Sequence, residues 1–212
     1  VLSIVPNFLS NPRQKTYAMD VIDTIRKVIL STRRGTLILF TSYKMLNMAF
    51  NNLVQPLHEN GITLLAQGRT GSRALITKEF KEIADSVLLG TYSFWEGIDI
   101  PGKALQNLII TKLPFPVPKE PIMEARAERL ETMGLNPFNA LFIPEAIIKL
   151  RQGFGRLMRA KDDGGIILVL DNRLINRDYG KRFLDSLPMR ITISYSEEDF
   201  LNRISTFWKK QH

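Results

Sequence analysis

Short aliphatic and β-branched runs recur along this chain of 212 residues. They are Thr36–Thr41 (TLILFT), Ile62–Gln67 (ITLLAQ), Ser86–Thr91 (SVLLGT), Gln106–Thr111 (QNLIIT) and Gly165–Leu170 (GIILVL), with Arg190–Tyr195 (RITISY) a further one. Most are nearly continuous in apolar character. That is the pattern of strands buried on both faces of a sheet, as in parallel sheets covered by helices.

Helical spacing fills the gaps between the runs. Lys15–Leu30 carries Ala18, Met19, Ile22, Ile25 and Ile29 at three- and four-residue steps. Ser42–His58 follows the first run directly, with Ser42 as a candidate cap, and Ser72–Ile83 follows the second. Pro121–Met133 stops at Gly134, and Glu145–Arg159 is a further helical segment. Ser196-Glu197-Glu198-Asp199 reads as a capping box opening a last helix over about 196–210. Strands alternating with helices predict one α/β layered domain over 1–212. Pro114, Pro116, Pro118 and Pro121 forbid a central strand or a helix interior, so residues from about 112 to 150 begin as an excursion from the sheet.

Composition then narrows the function classes. With 44% hydrophobic and 24% charged residues the chain is globular in type, and no apolar run is long enough to predict a membrane span. No cysteine is present, which removes thiol catalysis and Cys-ligated metals from these residues. Two histidines make a histidine-rich metal site a poor expectation, and no metal-ligating residue is assigned. The formal charge of +8 is compatible with a polyanionic partner as well as with an ordinary solvated surface. The first residues lack the charged start of a signal peptide, and a cytoplasmic protein is expected.

Two glycine patterns are decoys for phosphate binding. Gly97 to Lys103 has the spacing of a phosphate loop, but Ala104 stands where a magnesium-binding hydroxyl belongs. A strand is expected next, where such a loop needs a helix. Gly153-Phe154-Gly155 resembles a dinucleotide fingerprint, yet lies inside a helical pattern and not after a strand.

Two clusters carry more chemistry. In Gln152-Gly153-Phe154-Gly155-Arg156-Leu157-Met158-Arg159, helical spacing would put Arg156 and Arg159 on one face. Paired guanidiniums there suit phosphate oxygens; a solvated basic face bridged to Asp162 and Asp163 is the other reading. Each glycine costs a helix about 1 kcal/mol relative to Ala, which suggests close packing or a ligand. The second cluster, Gly90 to Gly102, begins where the Ser86–Thr91 strand ends, the place where open α/β sheets bind ligands. Thr91 and Ser93 offer hydroxyls, Phe94 and Trp95 offer faces, and Glu96 and Asp99 offer carboxylates. Aromatic plugs and capped turns are the alternative there.

In this order and at this separation, the two clusters resemble those of the C-terminal motor domain of DinG/XPD-type superfamily-two DNA helicases. Gly35–Tyr43 (GTLILFTSY) looks like motif IV, Gly90–Gly102 like motif V and Gln152–Arg159 like motif VI. Lys112-Leu113-Pro114-Phe115, Asp171-Asn172-Arg173-Leu174 and Tyr179-Gly180-Lys181-Arg182 are similar to DinG connecting segments. The likeness runs from about residue 12 to 190.

The resemblance implies a RecA-like three-layer sandwich, its mostly parallel sheet covered on both faces. It implies half of an ATP site, with magnesium and the Walker motifs on a first motor domain. Neither a complete Walker A motif nor a DEAD- or DEAH-like stretch occurs in this chain, so alone it is expected to be inactive. Carried over, Arg156 and Arg159 are arginine fingers and Gln152 reads the nucleotide. Glu96 and Asp99 couple nucleotide to strand, and Gly97 borders the nucleotide. Single-stranded DNA is the implied partner, with Thr41, Ser42, Arg73, Thr91 and Ser93 as contacts and Tyr43 or Trp95 as a face for a base or as packing. The alternative is a nucleic-acid-binding module with a degenerate motor.

Overall fold

The computed structural model describes residues 1–95, 104–158 and 164–211, and every expected strand forms within them. The strands are β1 (Leu2–Pro6), β2 (Thr36–Leu39), β3 (Leu64–Ala66), β4 (Val87–Gly90), β5 (Asn107–Ile110), β6 (Ile166–Val169) and β7 (Thr192–Ser194). They pair in the order β3-β4-β2-β5-β6-β1-β7, and each pairing is parallel. Register is tight through the centre: Ile38 stands beside Leu89 and Ile109, and Ile109 beside Leu168.

The helices are α1 (Tyr17–Thr32), α2 (Tyr43–Glu59), α3 (Arg73–Glu82), α4 (Tyr92–Trp95), α5 (Pro121–Thr132), α6 (Ile143–Phe154), α7 (Arg173–Asn176), α8 (Gly180–Ser186) and α9 (Glu197–Lys209). Successive strand residues point to opposite faces, and two cores result. Ile38, Ile109 and Leu168 face α1, α2 and α9, which bury Ile25, Leu53 and Phe200 against them. Leu37, Leu108 and Ile167 face the other way, toward Ile76 of α3, Phe94 of α4, Leu150 of α6 and Phe183 of α8. This two-sided burial is why the strands read as continuous apolar runs. Each fully buried aliphatic side chain contributes about 1.5–3 kcal/mol of transfer free energy.

Three helices begin on the serines their sequences offer. Ser42, Ser72 and Ser196 accept from the backbone N–H of Met45, Leu75 and Asp199. Past the end of α5, Gly134 has φ of +73°, a conformation that favours glycine.

The helix expected over Glu145–Arg159 is shorter. It spans Ile143–Phe154 and is capped by Gly155, whose N–H donates to the Arg151 carbonyl. Arg156 therefore lies beyond the helix in a turn, not on its face as the spacing predicted. A π-helical turn, Phe138–Phe142, leads directly into α6.

Close packing explains Gly90. A Cβ there would sit 2.5 Å from both Cβ and Cγ of Phe94, which α4 folds back onto the strand. Gly90→Ala is expected to destabilise the chain by about 2 kcal/mol, as overpacked core positions do. Thermal unfolding measures it; an unchanged Tm would mean that α4 shifts without strain.

Candidate functional site

A parallel sheet brings the ends of its strands to one edge. Along this edge lie Gln67 after β3, Thr91 after β4, Thr41 and Ser42 after β2, Lys112 after β5 and Asp171 after β6.

Gln67 organises the first corner. Its Oε1 accepts from the Thr91 backbone N–H at 2.8 Å and from the Thr91 hydroxyl at 2.9 Å. Its Nε2 donates to the Tyr43 hydroxyl at 2.6 Å and to Ser93 Oγ at 2.9 Å. One carboxamide thus joins the start of α2 to the segment after β4. Thr91 is only 2% exposed, whereas Tyr43 is 53% exposed at the rim. Ser42 is exposed and caps α2, and Thr41 is half-buried beside it. Arg73 opens α3 with its guanidinium 5.6 Å from the Phe94 ring centre.

The second corner is the end of α6. Gln152 is exposed there. Gly153 is buried against Trp95: a Cβ would meet the indole at 2.9 Å. Trp95 is fully buried, and its indole N–H donates to the Phe40 carbonyl at 3.4 Å. Arg156, half-buried, donates from Nε to the Trp95 carbonyl at 2.9 Å. The segment after β4 and the end of α6 are therefore one packed unit. The glycine that looked like a ligand signal serves packing at position 153. Phe94 and Trp95 are core side chains, so of the two candidate stacking faces only Tyr43 reaches the surface.

Asp171 builds a third corner, in a segment whose sequence suggested no chemical role. Its side chain is fully buried and accepts from the Leu113 N–H at 2.9 Å. Arg173 donates to it from Nε at 2.9 Å and from Nη2 at 2.6 Å. Tyr17 spans the gap, donating to the Thr111 and Leu170 carbonyls. Burial pushes the Tyr17 phenol well above its ordinary range, with Asp171 adding to the effect. The Lys112 ammonium sits 4.9 Å from the Tyr17 ring centre. Burial lowers the Lys112 pKa, as does Arg173, and Asp171 partly offsets both. Outside this corner the Pro-rich excursion and α5 enclose a cleft of about 790 Å³. Phe115, Phe138 and Tyr179 line it, with Arg13 and Arg177 among the basic residues and Glu124, Glu128 and Glu131 from α5.

Of the residues singled out from sequence, Thr91 and Ser93 meet at Gln67, Thr41 and Ser42 lie between β2 and Tyr43, Arg73 opens α3, and Gln152 and Arg156 lie at the end of α6. Glu96, Gly97, Asp99 and Arg159 lie outside the described residues, as does the Gly97–Lys103 decoy. The strand expected after that decoy is present as β5. Gln67 carries no local signal, because its three partner residues lie 24 and 26 positions away in sequence. Among the described residues, no helix is long and apolar enough to cross a membrane.

The Helicase C-terminal domain family matches residues 25–190. The chain is 41% identical over 187 residues to the ATP-dependent DNA helicase YoaA of Haemophilus influenzae, covering 88% of this chain and 29% of that protein. It is 42% identical over 198 residues to the ATP-dependent DNA helicase DinG of Photobacterium profundum, covering 91% and 28%. The chain thus spans less than a third of the length of either relative. A solved XPD helicase structure shares the fold with a TM-score of 0.68 at 17% identity, over 91% of this chain and 35% of that one.

Proposed function

Because the chain belongs to the helicase C-terminal domain family, as the second helicase domain of a DinG/XPD-type helicase, we propose that it grips single-stranded DNA at one corner and completes an ATP site at another. One observation carries this reading. The Arg156 guanidinium is held by the carbonyl of Trp95, and Trp95 ends the same short helix that carries Ser93. In this proposal the group for the nucleotide is anchored on the short helix that carries a group for the strand.

ATP supplies the phosphoanhydride bond whose hydrolysis drives the motor. Magnesium and the remaining phosphate contacts belong to a first motor domain. Arg156, with Arg159 beyond the described residues, stabilises charge developing on the transferred phosphoryl group. Gln152 is exposed beside Arg156 and suits a polar nucleotide edge. Glu96, Gly97 and Asp99 complete that border in this proposal. Closure of the two domains brings the fingers into place and expels water, and opening releases product. Thr41, Ser42, Ser93 and Arg73 hold the DNA backbone, and Thr91 supports them from behind Gln67.

Binding of a fluorescent oligothymidylate by this chain tests the reading. Affinity is expected to fall linearly with salt on logarithmic axes, with a slope of about −0.7 per phosphate contacted. ATP with magnesium is expected to bind this chain only weakly without the first domain. Micromolar ATP affinity for the isolated chain would overturn the half-site proposal. Absence of strand binding at low salt would overturn the DNA grip.

A further inference from the structure

The polarity of the Gln67 carboxamide is set by its surroundings. A backbone N–H only donates, so the group 2.8 Å from the Thr91 nitrogen is the carbonyl oxygen of Gln67. The amide nitrogen then faces Tyr43 and Ser93, and it donates to both hydroxyl oxygens. A hydroxyl oxygen that accepts such a bond keeps its own hydrogen for another acceptor. The Thr91 hydroxyl is in the opposite state. It is buried, and its hydrogen is directed to Gln67 Oε1.

We propose that Gln67 is a positioning residue for a polynucleotide backbone: its carboxamide turns the hydroxyl hydrogens of Tyr43 and Ser93 outward as donors to phosphate oxygens. This rests on the single-strand reading above and deepens it. Thr91 anchors the carboxamide and does not itself touch the strand. The two donors come from separate elements, α2 and α4, and the amide keeps them in one frame. Hydroxyl donors suit sequence-independent backbone contacts, because phosphate oxygens only accept. The arrangement is fixed before the strand arrives, so little ordering is needed on binding.

Gln67→Glu is the informative variant. A carboxylate still accepts from both Thr91 groups, so the fold is retained. Its second oxygen can only accept, so it draws the Tyr43 and Ser93 hydrogens inward. Oligothymidylate binding is then expected to weaken about tenfold or more, the loss of one or two hydrogen bonds to a charged group. In a Tyr43→Phe/Ser93→Ala background, only the repulsion of the added charge remains, so the same substitution is expected to cost at least about threefold less than it does with the hydroxyls present. A merely structural role would not produce that difference between backgrounds. An equal loss in both backgrounds would overturn the proposal while leaving strand binding in place. So would wild-type affinity in the Gln67→Glu chain. Failure of the wild-type chain to bind the oligonucleotide would instead remove the single-strand reading, and the proposal with it.

Discussion

Replacing Arg156 by alanine in a polypeptide that carries both motor domains is expected to lower strand-stimulated ATP hydrolysis by about a thousandfold, the low end of what an arginine finger supplies. Arg156 Nε donates to the Trp95 carbonyl at 2.9 Å. Fixing Nε on a main-chain acceptor restricts the direction in which the planar guanidinium extends. Arg156→Lys is expected to recover little of the rate, because an ammonium cannot make the same fork. Strand affinity should stay within about threefold, since the Gln67 corner does not use this side chain. Steady-state ATPase with and without oligonucleotide separates these outcomes. A rate within about threefold of wild type would refute the finger assignment and favour a nucleic-acid-binding module with a degenerate motor.

Asp171→Ala carries the largest expected effect on stability. The carboxylate is fully buried, and it satisfies the Leu113 N–H together with the backbone N–H, Nε and Nη2 of Arg173. Arg173 is itself mostly buried. Burial alone would depress its pKa, and the bonds to Asp171 outweigh burial and raise it. Without the carboxylate, the Arg173 guanidinium loses its counter-charge and the Leu113 and Arg173 backbone N–H groups lose their acceptor. Breaking a buried ion pair from one side costs about 3–5 kcal/mol. Urea unfolding of the purified variant measures this directly. Asp171→Asn keeps the shape and an acceptor for Leu113 but loses the charge, and is expected to fall between the two. A loss under about 1 kcal/mol for Asp171→Ala would mean that the site relaxes or admits water.

How much of this was legible depended on how local each cause is. The runs Thr36–Thr41, Ser86–Thr91 and Gly165–Leu170 announced strands because burial on both faces demands apolar residues at every position. Ser42, Ser72 and Ser196 announced helix starts because capping is settled within three residues. β1 gave no comparable signal: it is five residues long and contains Ser3 and Pro6. The turns α7 and α8, four and seven residues long, are held by Leu174 and Phe183 in the core and not by their own periodicity. At the site, glycine at position 153 was legible as a demand for closeness, but its partner Trp95 lies across the fold. Helical periodicity overran the end of α6 because Leu157 and Met158 continue the apolar pattern past the Gly155 cap. The Gln67 corner was the least legible. A glutamine ending a strand is unremarkable until β3, β4 and β2 lie side by side.

The parallel sheet also gives the molecule a polarity that its charge count does not show. With all strands running one way, the helices that follow them begin on the same edge, as α2 does directly after β2. The aligned peptide dipoles of a helix sum to a partial positive charge at its start and a partial negative charge at its end, about half an elementary charge at each. Repeated across the fold, this makes the edge bearing Ser42 and Gln67 a partially positive rim and the opposite edge its negative counterpole. The bias comes from backbone amides, so it persists when individual lysines or arginines are removed. Under the proposed DNA grip, the direction of the chain itself adds to the attraction that this edge offers a phosphate backbone.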